Sequence, residues 1–548
     1  RSEQFAYRPL ISVLMPVYNT PLAYLKAAVQ SVRAQAYVNW ELCICDDASS
    51  DPLVVDYLKS LPQIDVRIKV HHRKTNGHIS AASNDALDMS QGEWVALLDH
   101  DDLLSADALF WVVEALQSNK NAGVIYSDED KIDLDGKRCD PFFKPDWSPE
   151  LLLSRNYICH LGVYRRSLLN SIGGFRLGLE GAQDHDLVLR CALHLHPNQV
   201  IHIPRILYHW RVLPGSTALA GEEKSYAHQA GLKAIADYLE ESGLGGEVVC
   251  LPDGYYRVLP QLPSQLPWVS LIIPTRNAHG LVRMCMQSIF EKTTYPNYDI
   301  LLVDNGSDEV ESLDYFKELS QHPRVKVIRD DRDFNFSALN NAAVNTAKGD
   351  FICLVNNDIE IITPDWLEEM VGLAIRPGVG AVGARLWYPN NTLQHGGVIV
   401  GLGGVAGHAH IGRGRGDPGY CGRAVMTQNF QAVTAACLLV RKSTYLKVGG
   451  LEEEHLKVAF NDIDFCLKLA EAGWRNVWTP YAEMYHHESA TRGLDTSPEK
   501  KVRFDSEVQY MLKRWGGVLL KDPTYNPNLS LDDAQFSLAF PPRISQLV

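Results

Sequence analysis

The sequence has no long apolar run, no excess of basic residues and no CxxC cysteine pair. Its hydrophobic stretches fall short of the roughly twenty residues that a membrane-spanning helix needs, so we expect no such helix. The formal net charge of −14 argues against nucleic acid as a partner, because phosphate backbones bind basic surfaces, although one small nucleotide could still bind. The eleven scattered cysteines disfavour a zinc site and indicate buried, reduced thiols.

The polar start of the chain, Arg1 to Arg8, does not resemble a secretory signal. Together with the reduced thiols, this predicts a cytoplasmic protein. The chain has 548 residues, of which 46% are hydrophobic and 22% charged. That length exceeds what one core supports, so we expect two globular domains.

Three short motifs, two of them acidic, occur twice in the same order. The first copy contains Pro16-Val17-Tyr18-Asn19, Cys45-Asp46-Asp47-Ala48-Ser49 and Leu98-Asp99-His100-Asp101-Asp102. The second contains Ile273-Pro274-Thr275-Arg276-Asn277, Val303-Asp304-Asn305-Gly306-Ser307 and Val355-Asn356-Asn357-Asp358. The offset between the copies is constant to within one residue, which indicates a duplicated domain.

Each copy alternates short apolar strands with helical stretches, which is typical of an α/β fold with a mostly parallel sheet. The predicted strands are 10–16, 40–45 and 94–98, then 269–274, 300–303 and 351–355, and the predicted helices include 22–36 and 281–290. All three motifs follow strands. Ligands of open parallel sheets bind beyond the carboxyl ends of the strands, so we expect the site there.

Two later motifs also recur, but with a larger offset. Gln183-Asp184-His185-Asp186 matches Asn461-Asp462-Ile463-Asp464, and Tyr208-His209 matches Tyr485-His486. The second copy therefore contains an insertion, for which the candidate is the glycine-rich segment 396–422. Such a segment predicts a mobile functional loop or disorder.

These repeats predict four parts of the chain. They are an N-terminal domain at 1–220, a helical and proline-rich linker at 221–267, a C-terminal domain at 268–497 and a tail with one helix, 506–515, at 498–548. The prolines between 259 and 267 suit a semi-rigid connector.

The residue types indicate metal-dependent transfer from a phosphate ester. Carboxylates and an imidazole can hold a divalent cation that neutralises a diphosphate, and a separate carboxylate can deprotonate an acceptor hydroxyl. Taken singly, each motif has a structural alternative, because short carboxylates also cap turns and helices. Four ordered motifs in duplicate favour the functional interpretation.

At these residues the chain resembles the inverting family-2 glycosyltransferases of the GT-A fold, twice and in the right order. The resemblance implies two tandem GT-A domains, each binding the nucleotide of a nucleotide-diphosphate sugar donor. The implied nucleotide-binding residues are Pro16, Tyr18, Asn19, Asp46, Asp47 and Asp99 in the first copy, and Pro274, Asn277, Asp304, Asn305 and Asn356 in the second. The implied catalytic bases are Asp184 and Asp462, and the implied ligands of Mg²⁺ or Mn²⁺ are Asp101, His209, Asp358 and His486, with His487 a rival for the last.

The tandem arrangement is similar to bacterial transferases that extend O-antigen, capsule or other surface glycans, many of them rhamnosyltransferases. The most telling phrases are Tyr208-His209-Trp210-Arg211 with Ser216-Thr217, and His486-His487-Glu488-Ser489 with Arg492-Gly493. This implies a bifunctional enzyme with a dTDP-rhamnose or UDP-sugar donor. The implied acceptor is a lipid-linked glycan or lipopolysaccharide, which could bring the protein to the inner face of the bacterial inner membrane.

Two departures from the family pattern keep alternatives open. Both copies lack the Glu that precedes the base, and the second has Asn356 where a carboxylate is usual. One alternative is therefore an active domain joined to a degenerate glycan-binding or scaffold domain. Another is a sugar-nucleotide pyrophosphorylase, although the glycine-rich basic loop of that class is replaced here by Tyr18-Asn19-Thr20-Pro21.

Overall fold

The computed structural model describes residues 2–212, 223–487 and 498–544. The chain divides into two compact units. The first consists mainly of Arg1–Trp147 and Leu151–Val258, and the second mainly of Leu259–Arg543.

The first unit alternates strands and helices along most of its length. Its elements are β1 (Ile11–Val17), α1 (Leu22–Arg33), β2 (Trp40–Asp46), α2 (Pro52–Ile64), β3 (Ile68–His72), α3 (His78–Met89), β4 (Trp94–Leu97), β5 (Leu103–Leu104), α4 (Ala108–Ser118), β6 (Val124–Ile132), β7 (Arg138–Phe142), α5 (Pro149–Ser154), β8 (Gly162–Arg165), α6 (Arg166–Ser171), α7 (Gln183–Ala192), β9 (Val200–Arg211), α8 (Glu223–Glu241), β10 (Glu247–Cys250) and β11 (Tyr256–Leu259). Within the described residues, nine of these strands form one sheet in the order β3-β2-β1-β4-β8-β6-β9-β5, with β7 on β6.

The second unit repeats this succession and then adds to it. Its elements are β12 (Val269–Thr275), α9 (His279–Lys292), β13 (Tyr298–Asp304), α10 (Val310–Leu319), β14 (Val325–Arg329), α11 (Phe336–Thr346), β15 (Phe351–Val355), β16 (Ile359–Ile361), α12 (Trp366–Ala374), β17 (Val379–Trp387), β18 (Leu393–His395), β19 (Val398–Val400), β20 (Ala406–His408), β21 (Gln428–Phe430), β22 (Cys437–Arg441), α13 (Lys442–Lys447), α14 (Asn461–Glu471), β23 (Arg475–His486) and α15 (Pro498–Leu519). Its main sheet has the order β14-β13-β12-β15-β22-β17-β23-β16.

The amino-terminal part of each sheet is parallel. β1 pairs in parallel with β2 and β4, as β12 does with β13 and β15. These strands are buried on both faces, so they appear in the sequence as continuous apolar runs rather than alternating ones. The carboxyl ends of β1, β2 and β4 lie side by side, and this arrangement brings the three motifs to one edge.

A polar link at the opposite end of β1 sets the register of the sheet. Ser12 Oγ donates a hydrogen bond to Glu41 on β2 and accepts one from the Gly92 amide before β4. A Cβ atom at Gly92 would lie 2.6 Å from Ser12 Oγ, so only glycine allows this approach. The same link recurs in the second unit with Ser270, Asp299 and Gly349.

The glycine-rich segment 396–422 differs from its prediction. It contains the antiparallel hairpin β19–β20, and it is bound by the chain that follows α15. Val400 N donates to Asp522 Oδ2 at 2.8 Å, and the His410 ring stacks on Phe536 with centroids 4.3 Å apart. These contacts contradict the prediction of a loose or disordered segment, because residues more than a hundred positions away supply the hydrogen bonds and apolar cover that the segment itself lacks.

Several predicted boundaries also shift. The C-terminal helix α15 begins at Pro498 rather than at 506, because its first turns are polar and carry no apolar periodicity. Helix α8, with the hairpin β10–β11 that follows, belongs to the first unit, although the sequence suggested a linker there. In the described ranges, 2–212, 223–487 and 498–544, every helix is too short or too polar to traverse a bilayer.

Candidate active sites

The asparagine after the first strand ties two strand ends together in each unit. The Asn19 amide donates to Ser49 Oγ at 2.9 Å, and the Asn277 amide donates to Ser307 Oγ at 2.7 Å. Both asparagines have a positive φ, which asparagine tolerates better than most residues. The turn after β1 is therefore fixed to the turn after β2 in the same way in both copies.

The carboxylate at the end of the second strand faces a nitrogen-bearing side chain from the third strand. Asp46 Oδ2 lies 2.9 Å from His72 Nδ1, and Asp304 Oδ2 lies 2.6 Å from an Arg329 guanidinium nitrogen. Both aspartates are buried, and their other oxygens accept a backbone amide from the following turn. These contacts build the strand-end crevice itself.

The next residue in each motif links the crevice to the loop after the third strand. Asp47 Oδ1 accepts the Gly77 amide at 2.8 Å and lies 3.0 Å from Arg73 Nε. Asn305 donates to the carbonyls of two neighbouring residues, Asp330 and Arg332. Tyr18, in contrast, is 48% exposed at the mouth of the first crevice. Pro274 occupies in β12 the register position that Pro16 occupies in β1.

A cavity at the carboxyl edge of the first sheet brings together residues from three predicted motifs. Pro16, Asp99 and Asp184 line it, and Cys159 and His160 complete the same wall. Asp99 and Asp184 lie 85 positions apart in the sequence numbering, and the fold places them at one cavity.

A buried ion-pair chain lies behind this cavity. Lys144 Nζ, whose side chain has no solvent exposure, is 3.0 Å from Glu129 Oε2 and also donates to the carbonyls of Cys159 and His160. Burial favours the neutral form of Glu129, but the charge of Lys144 overrides it and lowers the pKa of Glu129 to about 2. Glu129 is therefore ionised at neutral pH.

His160 lies between two carboxylates. Its Nδ1 is 3.5 Å from Glu129 Oε2 and its Nε2 is 3.8 Å from Asp99 Oδ2, while its ring stacks on Tyr208. Burial alone would lower the pKa of His160, but the hydrogen bond to Glu129 and the charges of Glu129 and Asp99 raise it to about 9. The first cavity thus contains an imidazolium cation at neutral pH.

The acidic motif after β4 has two differently placed carboxylates. Desolvation raises the pKa of Asp99, and the charge of His160 opposes this shift. Asp102 is buried, accepts hydrogen bonds from the Tyr208 hydroxyl at 2.7 Å and the Arg211 amide at 2.7 Å, and has a raised pKa because of desolvation. Asp102 thus connects the motif to β9.

The metal ligands predicted for the first copy have different partners. Asp101 Oδ1 lies 3.7 Å from His100 Nδ1, whereas His209 Nδ1 lies 2.5 Å from Asp130 Oδ1. The contact with Asp130 fixes the orientation of the His209 ring. The assignment of Asp101 and His209 to one metal ion stays a prediction.

The two predicted bases are oriented by similar hydrogen bonds. Asp184 and Asp462 stand in the first turns of α7 and α14, and Oδ1 of each accepts the amide of the next residue at 2.9 Å. Asp184 Oδ2 accepts the Asn156 side chain at 3.1 Å, and Asp462 Oδ2 accepts the Ala435 amide at 3.0 Å. Each carboxylate is thereby held in one orientation.

The aspartate two positions later anchors the helix. Asp186 pairs with Arg190 at 2.9 Å and with Arg176, and Asp464 pairs with Lys468 at 3.1 Å. Both carboxylates are buried; the contact with Arg176 ties α7 to the preceding loop, and a hydrogen bond from Trp515 Nε1 to Asp464 ties α14 to α15.

The second unit brings its predicted metal residues together. His486 Nε2 lies 3.2 Å from both Asp358 Oδ1 and Asn356 Nδ2, while His486 Nδ1 is 2.7 Å from Gln394 Oε1. The rival, His487, instead contacts Glu360 at 3.1 Å. Of the two histidines, His486 is the one that lies against Asp358, and its assignment as a metal ligand stays a prediction.

A second histidine pair borders this centre. His395 Nδ1 lies 2.8 Å from His408 Nδ1, and the buried position of His395 lowers its pKa well below the ordinary value, with help from His408 and His486. His408 comes from the hairpin of segment 396–422. Segment 396–422, the insertion of the second copy, therefore extends to the residues beside His486.

The comparison with protein families decides the affiliation of the chain. The family model described as "Glycosyl transferase family 2" matches residues 12–173 and 270–400, more than half of the chain and one block in each unit. The chain belongs to glycosyl transferase family 2. The mixed α/β fold with two GT-A-like domains, predicted from the sequence, is confirmed.

Individual relatives are longer than this chain. An uncharacterized protein of Sinorhizobium fredii is 49% identical over 97% of the chain and 59% of its own length. The O-antigen biosynthesis protein RfbC of Myxococcus xanthus is 37% identical over 96% of the chain and 40% of its own length. Among solved structures, S. aureus TarS 1-349 in complex with UDP-GlcNAc aligns at 20% identity with a TM-score of 0.35. The alignment covers 43% of this chain and 68% of that one.

The two family-2 domains differ around the base. The pairing of β4 with β8, and of β15 with β22, matches Arg165 to Arg441. Counting back from these residues matches His160 to Ala436. The pairing of Glu129 with Tyr208, and of Trp387 with the matching Tyr485, matches Glu129 to Trp387. The second domain thus lacks the imidazolium of the first.

Sequence reasoning missed most of the first domain's ion-pair chain. Glu129 lies in an acidic run that could have been suspected of flanking the site, but no local signal marks Lys144 or His160. Six residues of the late sequence motifs lie outside the described part of the chain: Ser216, Thr217, Glu488, Ser489, Arg492 and Gly493.

Proposed function

We propose that this chain is a bifunctional inverting glycosyltransferase with one catalytic centre in each domain. The observation that carries the proposal is the equivalent setting of Asp184 and Asp462. Each stands at the start of a helix, has one oxygen held by the adjacent backbone amide and the other by a neighbouring segment, and is supported by an ion-paired aspartate. A duplicated domain that had lost its activity would have no need to keep this geometry.

In this mechanism the base takes the proton of the acceptor hydroxyl while the sugar leaves its nucleotide diphosphate. The hydrogen bonds from the Asn156 side chain to Asp184 and from the Ala435 amide to Asp462 hold each carboxylate in one orientation toward the acceptor hydroxyl. Because a single carboxylate serves as base in each domain, the reaction that we propose is one in-line displacement, which inverts the anomeric carbon. In the first domain, the His160 imidazolium supports the charge that develops on the diphosphate.

The second domain fits a divalent cation. Asp358 Oδ1 is buried, lies against His486 Nε2 and accepts no hydrogen bond among the described residues, so an oxygen and a nitrogen donor converge. Gln394 orients the imidazole from behind, as outer partners of metal-bound histidines do. Mg²⁺ or Mn²⁺ bound there by Asp358 and His486 would neutralise the leaving diphosphate.

The donors that we propose are nucleotide-diphosphate sugars, first dTDP-rhamnose and then UDP-sugars. The acceptor is a growing bacterial surface glycan, lipid-linked or on lipopolysaccharide, which would bring the protein to the inner face of the inner membrane. The relation to RfbC, an O-antigen biosynthesis protein, supports this acceptor class. The sequence motifs at the strand ends support the donor class.

The test is a donor panel offered to the purified chain with oligosaccharide acceptors. Asp184→Asn and Asp462→Asn should each remove one linkage, with a rate loss on the order of 10²–10⁴, while the exposed controls Asp135→Asn and Asp505→Asn leave both unchanged. Full activity of either base variant in every linkage would refute the base assignment in that domain.

A second candidate is one active domain with a degenerate partner. It is favoured by Ala436 and Trp387, which stand in the second domain at the positions of His160 and Glu129, and by Asn356. Under this alternative Asp184→Asn abolishes every transfer and Asp462→Asn abolishes none, so the same panel separates the two proposals.

A further inference from the structure

Three side chains of different chemistry meet at the wall of the first cavity. Cys159, His160 and Asp184 each offer one ligand atom, and these atoms all lie within 4.8 Å of one another. All three are half-buried and line the cavity, so a small solute has access to them. The fold thus brings a thiol, an imidazole and a carboxylate to one point.

This donor set selects a particular kind of metal. Mg²⁺ and Ca²⁺ prefer oxygen ligands, whereas a thiolate with an imidazole and a carboxylate suits Zn²⁺, which often takes three protein ligands and leaves a fourth position open. Burial raises the pKa of the Cys159 thiol, but a coordinating cation displaces the thiol proton directly.

The surrounding charges favour a dication. Glu129 lies 3.5 Å and Asp99 lies 3.8 Å from the two His160 nitrogens. These carboxylates attract a proton to His160 in the metal-free protein, and the same field attracts Zn²⁺ in its place. Lys144 pairs with Glu129 and offsets one of these two negative charges, so the charge of Asp99 remains to attract the dication.

Among the residues that the structure describes, the second domain has no such cluster. Its residues at the matching strand positions are Ala435 and Ala436, so Asp462 has neither a thiol nor an imidazole from that segment beside it. The chain therefore provides an internal control for any effect of the metal.

We propose that Cys159, His160 and Asp184 form a Zn²⁺ site, and that Zn²⁺ bound there withdraws Asp184 from the acceptor and closes the first centre. The inhibitory part rests on the proposed function, in which Asp184 is the base. The binding part stands on geometry alone. Zn²⁺ should therefore inhibit transfer by the first domain and leave transfer by the second domain unchanged.

Binding is tested with Co²⁺ and Zn²⁺ on the full chain. Co²⁺ should give the near-ultraviolet charge-transfer band of a thiolate ligand, and one equivalent of Zn²⁺ should remove it. Cys159→Ser should abolish the band, while the control Cys250→Ser, which removes an exposed thiol of the same unit, should retain it. A band that persists in Cys159→Ser, or no band in the unaltered chain, overturns the site.

The transfer assay tests the consequence separately. With Mg²⁺ in excess, added Zn²⁺ should abolish the linkage that Asp184→Asn also abolishes, and Cys159→Ser should relieve that inhibition. If Zn²⁺ binds through Cys159 while both linkages form at full rate, the metal site stands and the assignment of Asp184 as base is overturned. If Zn²⁺ inhibits both linkages equally in Cys159→Ser, the proposal that Zn²⁺ acts selectively through Cys159 is overturned.

Discussion

Replacement of Lys144 by methionine should destabilise the first unit strongly. The Lys144 side chain is fully buried and that of Glu129 is 11% exposed, so water does not screen their contact at 3.0 Å. Removal of one partner from a buried ion pair leaves an uncompensated charge and typically costs about 3–5 kcal/mol. We expect that loss for Lys144→Met in the free energy of unfolding.

The double variant Lys144→Met with Glu129→Leu should recover most of this loss. It removes both charges and places an apolar residue at position 129, where the second unit also has an apolar residue, Trp387. Replacing both partners of a buried pair by apolar residues is often neutral or stabilising. The surface control Lys131→Met breaks only an exposed pair with Asp140 and should change stability by less than about 1 kcal/mol.

The measurement must report on one unit, because a chain of two units does not unfold as a two-state system. Amide hydrogen exchange of β6, which carries Glu129, gives the opening free energy of that sheet. A cost below about 1 kcal/mol for Lys144→Met, or a double variant no better than the single one, would refute the argument that Lys144 compensates a buried Glu129 charge.

Three further predictions concern metal, pH and packing. EDTA should stop transfer in the second domain, and Asp358→Ala should do the same without it; undiminished turnover in EDTA would exclude a metal there. His202 is buried beside Asp128 at 2.9 Å, which overrides desolvation and raises the pKa of His202 to about 9. Protonated His202 therefore contributes fully to the free energy of unfolding below pH 6.5, and this contribution, about 3 kcal/mol at most, is lost as the pH rises through 9. The free energy of unfolding measured over this range should fall less in His202→Gln. Phe536→Ala should cost about 3–5 kcal/mol in the second unit, since this buried ring stacks on His410; exchange protection of β20 that does not change would contradict that role.

The duplication, the α/β class and the edge that bears the site could be predicted from the sequence. Continuous apolar strands such as β1 and β15 are buried on both faces, and the acidic motifs follow them directly, so local pattern and position agree. The positions of Asp184 and Asp462 in first helical turns also follow from short, repeated motifs.

Only the tertiary structure decided the partners of those motifs. Lys144 and Glu129 are joined through a hairpin with an irregular register, and His160 reaches Asp99 from the segment that precedes β8. The glycine-rich segment 396–422 is held by contacts with Asp522 and Phe536, which follow helix α15 in the chain. Local sequence pattern records which residues are apolar and where a strand ends. It does not record which distant charge, ring or carbonyl compensates a buried polar group, because that compensation exists only once the chain has folded.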